Sequence, residues 1–259
     1  MKLGLCLEMV FEDIPFAERI TRAAELGYTV AEMWHADPAA KGSPEELAAL
    51  AEKHGVTIAS AVAGAPGGTL ALTNPADREQ WLQHVEKSLD YTKRAGIPNA
   101  IVCTGDTVEG MSETETMKSV LDGLSAAVRL AEGAGITLLL EPLNTKVDHP
   151  GQWLDSSDKG AEICRKIGSP RLKLLYDCYH MQIMEGDLVG HLETHLDVIG
   201  HIHAAGHPGR HELWLGEINY PFLVKALEDM GYDGVFALEY APSMDNEESL
   251  RKTREHLGL

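Results

Sequence analysis

Several things are scarce in this chain, and each scarcity narrows what it does. Its four cysteines, Cys6, Cys103, Cys164 and Cys178, stand far apart in 259 residues and form no CxxC pair. Four thiols so spread suggest reduced cysteines in a cytoplasmic setting rather than a disulfide framework. Lys and Arg number 22 against 40 Asp and Glu, which leaves a formal charge of −18. Such a field repels phosphate backbones, so nucleic acid is not an expected partner. No run of about twenty apolar residues occurs, and Glu8 interrupts the short apolar start. Neither a membrane span nor a signal peptide is therefore expected. A glycine-rich phosphate turn is also missing after the first strand, where Glu8-Met9-Val10-Phe11 stands instead. That argues against an open dinucleotide-binding sheet.

What is present is a regular alternation. Strand-like apolar runs occupy residues 3–8, 28–34, 56–62, 99–103, 136–140, 172–176, 198–202 and 234–238. Helical patterns with start and stop signals separate them. Ser43-Pro44 opens one such helix and Gly55 ends it; Ser112 through Glu115 is a capping box. Alternating β and α elements argue for a parallel sheet. Eight such units in about 250 residues argue for closure, so the expected fold is one α/β domain over 1–259, a (β/α)8 TIM barrel. The Gly- and Pro-rich stretch 63–75 is long for a connection and is expected to be a lid or binding loop.

Strands five to eight run toward Glu141, Asp177, His203 and Glu239, at gaps of 36, 26 and 36 residues. Each gap is about one strand–loop–helix unit. In a barrel all strand C-termini share one face, so these four side chains should converge. A single acid after a strand commonly caps a helix. Four possible ligands on four consecutive units point instead to a metal site. Three carboxylates and one imidazole suit a hard to borderline divalent ion such as Mn²⁺, Mg²⁺ or Co²⁺. Structural zinc would favour Cys and His.

Other residues belong to the same rim. His180 follows Asp177 by three positions and is a candidate substrate contact. His207, Arg210 and His211 form a basic cluster after strand seven, able to hold a carboxylate or orient a hydroxyl. Surface pairing of Arg210 with Glu212 or Glu217 is the plainer alternative. Trp34 and His35, with Phe11, are placed to wall substrate from water. His201 shares a strand side with His203 but lies deeper, as a satisfied interior histidine would. His191 and His195 have i, i+4 spacing without an HExxH motif, since the acid falls at Glu193, and read as a solvated helix face.

Taken together, these motifs resemble those of the hydroxypyruvate isomerase branch of the xylose-isomerase-like TIM-barrel superfamily, whose relatives include ketose 3-epimerases. The similarity is carried by His201-Ile202-His203-Ala204-Ala205-Gly206, Pro208-Gly209-Arg210-His211-Glu212, Gly216-Glu217-Ile218-Asn219-Tyr220-Pro221 and Leu238-Glu239-Tyr240. Glu141-Pro142-Leu143-Asn144 and Asp177-Cys178-Tyr179-His180-Met181 add to it. The resemblance implies a metal held by Glu141, Asp177, His203 and Glu239, with both glutamates as the acid/base pair. It implies that His180 and Arg210 contact substrate oxygens, and that copies of the chain associate as a homo-oligomer. His203 looks more epimerase-like than isomerase-like, whereas Thr145-Lys146-Val147 after Asn144 departs from the epimerase pattern.

The implied activity is metal-dependent isomerisation of a small hydroxy-carbonyl substrate, akin to hydroxypyruvate or tartronate semialdehyde, through a cis-enediolate. Ketose 3-epimerisation is the alternative. An endonuclease IV-like repair enzyme fits the charge poorly, and a non-catalytic sugar-binding subunit would leave the acid/base pair idle.

Overall fold

The computed structural model describes residues 1–65 and 69–258. Part of the expected lid at 63–75, residues 66–68, lies outside the described residues, as does position 259. Eight strands close on themselves: β1 (Lys2–Cys6), β2 (Val30–His35), β3 (Thr57–Val62), β4 (Asn99–Val102), β5 (Thr137–Leu140), β6 (Leu172–Asp177), β7 (Ile199–Ala204) and β8 (Val235–Leu238). Every neighbouring pair is parallel, and β8 pairs back onto β1 through Leu3↔Phe236 and Leu5↔Leu238. The expected (β/α)8 barrel is the fold found.

The described helices are α1 (Phe16–Glu25), α2 (Pro38–Lys41), α3 (Pro44–His54), α4 (Arg78–Arg94), α5 (Glu113–Ala134), α6 (Ser157–Ile167), α7 (Cys178–Met184), α8 (Leu188–His195), α9 (Tyr220–Asp229) and α10 (Asn246–Leu257). Capping boxes fix the entries of α3 and α5: Ser43 with Glu46, and Ser112 with Glu115. Both helices end on glycines in the left-handed region, Gly55 and Gly135, which a Cβ would disfavour. The short helices α2 and α7 are additions to the sequence reading. β1 ends at Cys6, two residues before the expected Glu8.

The main core lies between the strand cylinder and the helical ring, where Ile20, Val85, Leu124 and Leu223 are buried. A separate small cluster fills part of the barrel interior: Ile101, Leu139 and Leu175, with Val62 against it. Side chains alternate along a strand. Each interior residue two places before the mouth therefore sits one layer beneath it. Leu139 lies under Glu141, Leu175 under Asp177, and His201 under His203. The opposite side of that layer is polar, made by Glu32, Ser60 and His201, all buried. Register shifts between β2 and β3 flank Glu32, and such bulges re-aim side chains.

Candidate metal centre

Glu141, Asp177, His203 and Glu239 do converge at the mouth. One ligand atom from each lies within 4.8 Å of the others, and all four residues are buried. His203 Nδ1 stands 3.2 Å from Glu239 Oε2 and 3.8 Å from Glu141 Oε1. It makes no hydrogen bond and is shut off from solvent. An orphaned imidazole nitrogen facing three carboxylates is what a divalent cation would satisfy. The residues present therefore fit a metal ion.

Asp177 does two jobs. Its Oδ1 accepts from the backbone N–H of Tyr179 at 2.7 Å and of His180 at 3.3 Å, capping α7. Its Oδ2 is left facing His180 Nε2, 3.5 Å away. The capping explanation and the ligand explanation thus use different oxygens of one carboxylate.

The carboxylates differ in electrostatics. Burial pushes Glu141 up to about 7, with the charges of Glu239 and Asp177 adding to the push and His203 opposing it. Glu239 feels the same burial, but His203 and Arg210 overcome it and hold the carboxyl well below its ordinary range. A bound cation would draw Glu141 down as well. Arg210 donates from Nη2 to Glu239 Oε2 at 2.6 Å, and Trp34 donates from Nε1 to Oε1 at 2.9 Å. Arg210 also lies over the Tyr179 ring, 5.2 Å from its centroid, in a left-handed backbone conformation with φ 56°. The expected alternatives for Arg210 are not found: Glu212 is buried on Ser243 and Ser249, and Glu217 accepts from Gln182.

His180 is fully buried in α7. Its Nδ1 accepts from Asn144, 3.3 Å from the backbone N and 2.6 Å from Nδ2. That arrangement places the ring proton on Nε2, beside Asp177. Burial drives the ring down to about 4, so it is a neutral donor at neutral pH. Asn144 also donates to Asp148 at 2.7 Å, and Tyr179 hydrogen-bonds the same carboxylate. His207 sits at the outer edge, its ring against Tyr179 at 5.7 Å and its Nε2 3.8 Å from Glu217. Beside this cluster opens a cavity of about 540 Å³, lined by His35, Trp81, Cys103, His149 and Gln152 among others.

Glu32 was missed in the sequence. Its carboxylate lies under the mouth, accepts from Ser60 Oγ at 2.6 Å and stands 3.0 Å from His203 Nε2. His201 Nε2 is 2.6 Å from Glu32 Oε1, poorly aligned for a hydrogen bond. Burial opposes a charge on Glu32, yet the two histidines hold it well below the usual carboxylate range. The neighbouring carboxylates favour the charged ring, and the Glu32 anion, facing Nε2, orients Nδ1 toward the three mouth carboxylates, where a cation would replace the Nδ1 proton. Such a carboxylate–histidine pair raises ligand basicity. The available signal was an acid in the middle of the apolar run Val30-Ala31-Glu32-Met33. His191 and His195 are also corrected: His195 is buried and paired with Asp158, not solvated.

Comparison with known proteins agrees with this geometry. The family profile described as xylose isomerase-like TIM barrel matches residues 20–258. A 2-oxo-tetronate isomerase of Cupriavidus necator is 33% identical, over 97% of this chain and 97% of its own. A hydroxypyruvate isomerase of Escherichia coli is 30% identical, with 97% of each chain covered. The crystal structure of a Brucella melitensis protein described as AP endonuclease, family 2, superposes with a TM-score of 0.89 at 28% identity, covering 98% of both chains. With the fold, the buried ligand cluster and these likenesses in agreement, the chain belongs to the xylose isomerase-like TIM-barrel family.

Proposed function

We propose that the protein is a metal-dependent isomerase of a small 2-oxo acid carrying a hydroxyl on the neighbouring carbon, with hydroxypyruvate and 2-oxo-tetronate as the nearest substrate types. The observation that carries the reading is the meeting of Glu141 and Glu239 around the orphaned Nδ1 of His203. Glu141, Asp177, His203 and Glu239 would hold the cation, which would be Mn²⁺, Mg²⁺ or Co²⁺ by the hardness of this donor set. Once bound, the ion supplies Lewis acidity at the substrate carbonyl and lowers the pKa of the adjacent C–H.

The chain's own residues do the rest. One glutamate takes the proton from the hydroxyl-bearing carbon. The C–H electrons form the new C=C bond, and the carbonyl electrons move onto oxygen, giving a cis-enediolate. The other glutamate delivers a proton to the former carbonyl carbon. The original hydroxyl passes its proton to the former carbonyl oxygen as its own oxygen becomes the new carbonyl. A positioned base of this kind contributes roughly 10²–10⁴-fold. Arg210 bonds Glu239 through Nη2 and has no hydrogen-bond partner on Nη1 among the described residues, which leaves that donor for a substrate carboxylate. His180 presents Nε2–H to a substrate oxygen near Asp177. Trp34 walls the β2 side of the mouth, and His207 closes the outer edge.

Ketose 3-epimerisation is the second reading: the proton would return to the opposite face of the same carbon. The epimerase-like histidine at position 203 favours it. Against nucleic-acid chemistry stands the charge of −18. The test is product identity by NMR in D₂O, with Mn²⁺-loaded protein offered hydroxypyruvate, 2-oxo-tetronate and free ketoses. Deuterium should enter the product of a 2-oxo acid, and Glu239→Gln should abolish turnover. Stripping the metal with chelator should do the same, reversed on re-addition. Turnover of ketoses alone would overturn the isomerase reading, and cleavage of abasic DNA would reopen the repair one.

A further inference from the structure

We propose that the helical shell carries a second divalent-cation site, formed by Asp158 of α6 with His191 and His195 of α8, and that it takes a zinc-class ion. Positions 191 and 195 are one helical turn apart, so both rings leave the same face of α8. That face meets the first turn of α6. His195 Nε2 lies 2.7 Å from Asp158 Oδ1, and His191 Nδ1 lies 3.9 Å from the same oxygen. One ligand atom from each residue falls within 4.8 Å of the other two. The two rings are 6.1 Å apart and tilted by 32°.

The site has a firm floor and an open side. His195 is 3% exposed, while the Asp158 side chain is 68% exposed. An ion can therefore enter from solvent without local unfolding. Ser157 Oγ stands 3.4 Å from His191 Nδ1, and its hydroxyl donates to Glu185 at 2.7 Å. A serine oxygen or a water completes a four-coordinate shell.

The donor set differs from the barrel mouth. Two imidazoles and one carboxylate select Zn²⁺, Ni²⁺ or Cu²⁺, whereas three carboxylates and one imidazole at the mouth tolerate harder ions. The two sites share no residue. An ion here would tie the helix that follows β5 to the helix pair that follows β6, the strands that end at Glu141 and Asp177. Its effect is a clamp on the scaffold, outside the chemistry.

The experiment uses full-length, tag-free protein. Zn²⁺ is titrated by calorimetry into the wild type and into His191→Ala and Asp158→Asn. The wild type should take two zinc equivalents. Each variant should lose one and keep the other, with the loss at least as large as the roughly 10–100-fold that removal of an outer-shell metal partner costs. A melting curve in the absence of zinc checks that each variant folds, and both positions are far enough from the core to make that the expected result. Cu²⁺ offers a second readout: EPR of the copper-loaded wild type should show a centre with two nitrogen ligands that His191→Ala removes. Equal zinc stoichiometry and affinity in the wild type and both variants would overturn the site. So would a copper spectrum unchanged by His191→Ala.

Discussion

Replacing Glu32 by Gln tests how the centre is built, because Glu32 is buried beneath the mouth and faces a ligand from behind. Its carboxylate receives Ser60 at 2.6 Å, faces His203 Nε2 at 3.0 Å and stands 2.6 Å from His201. A glutamine keeps the size of the side chain but replaces one acceptor oxygen by an NH₂. It also removes the negative charge that makes His203 a strong ligand. Loss of such an outer partner weakens metal binding by roughly 10–100-fold, or about 1.4–2.7 kcal/mol. Leucine would do more, since it leaves two buried histidines without their anion; removing one member of a buried pair costs about 3–5 kcal/mol of stability. The expected result is a Glu32→Gln protein that folds, binds Mn²⁺ or Co²⁺ more weakly in chelator competition, and regains most activity at high metal. If its metal affinity equals that of the wild type, the orientation of His203 through Glu32 is wrong. If activity stays low at saturating metal, Glu32 acts on the chemistry directly.

Three further outcomes are expected. Burial holds His180 near 4 in the folded state against 6.5 when exposed, so the unfolded chain takes up a proton that the folded chain refuses. Stability should therefore fall as pH drops from 6.5 to 4, by about 3 kcal/mol from this group, and His180→Gln should flatten that part of a denaturation-versus-pH curve. Trp34→Phe deletes the indole N–H that reaches Glu239; at this partly exposed site the loss should lower kcat/KM about tenfold with little change in melting temperature. Gly206→Ala places a Cβ 2.4 Å from Glu212 O and 2.7 Å from Leu215 O, which are backbone atoms with nowhere to go. It should cost about 1–3 kcal/mol and displace the loop that carries Arg210, seen as a lower melting temperature together with a raised KM.

The difference between what the sequence discloses and what it hides follows from how barrel strands are read. Strand ends are legible because turn signals mark them, and every strand of a parallel barrel ends on the same face. Four ligand-type residues one unit apart therefore announce a shared site before any contact is known. Residues one layer lower have no such marker. Glu32 lies three places before the end of its strand, inside an apolar run, and its partners Ser60 and His201 sit on strands distant in sequence. Only barrel closure brings them together, and bulges between β2 and β3 adjust where they point. The sequence places His180 near the mouth, but its setting is hidden: Asp177 caps a short helix there with one oxygen while keeping the other toward the mouth. Arg210 reads at the barrel mouth with Glu212 or Glu217 as the plainer partner, and spacing does not offer Glu239. The choice depends on a left-handed backbone at position 210, which turns the guanidinium inward onto Glu239 and away from Glu212 and Glu217. What escapes the sequence is thus specific: the layer beneath the ligands, and the loop geometry that decides which carboxylate each cation meets.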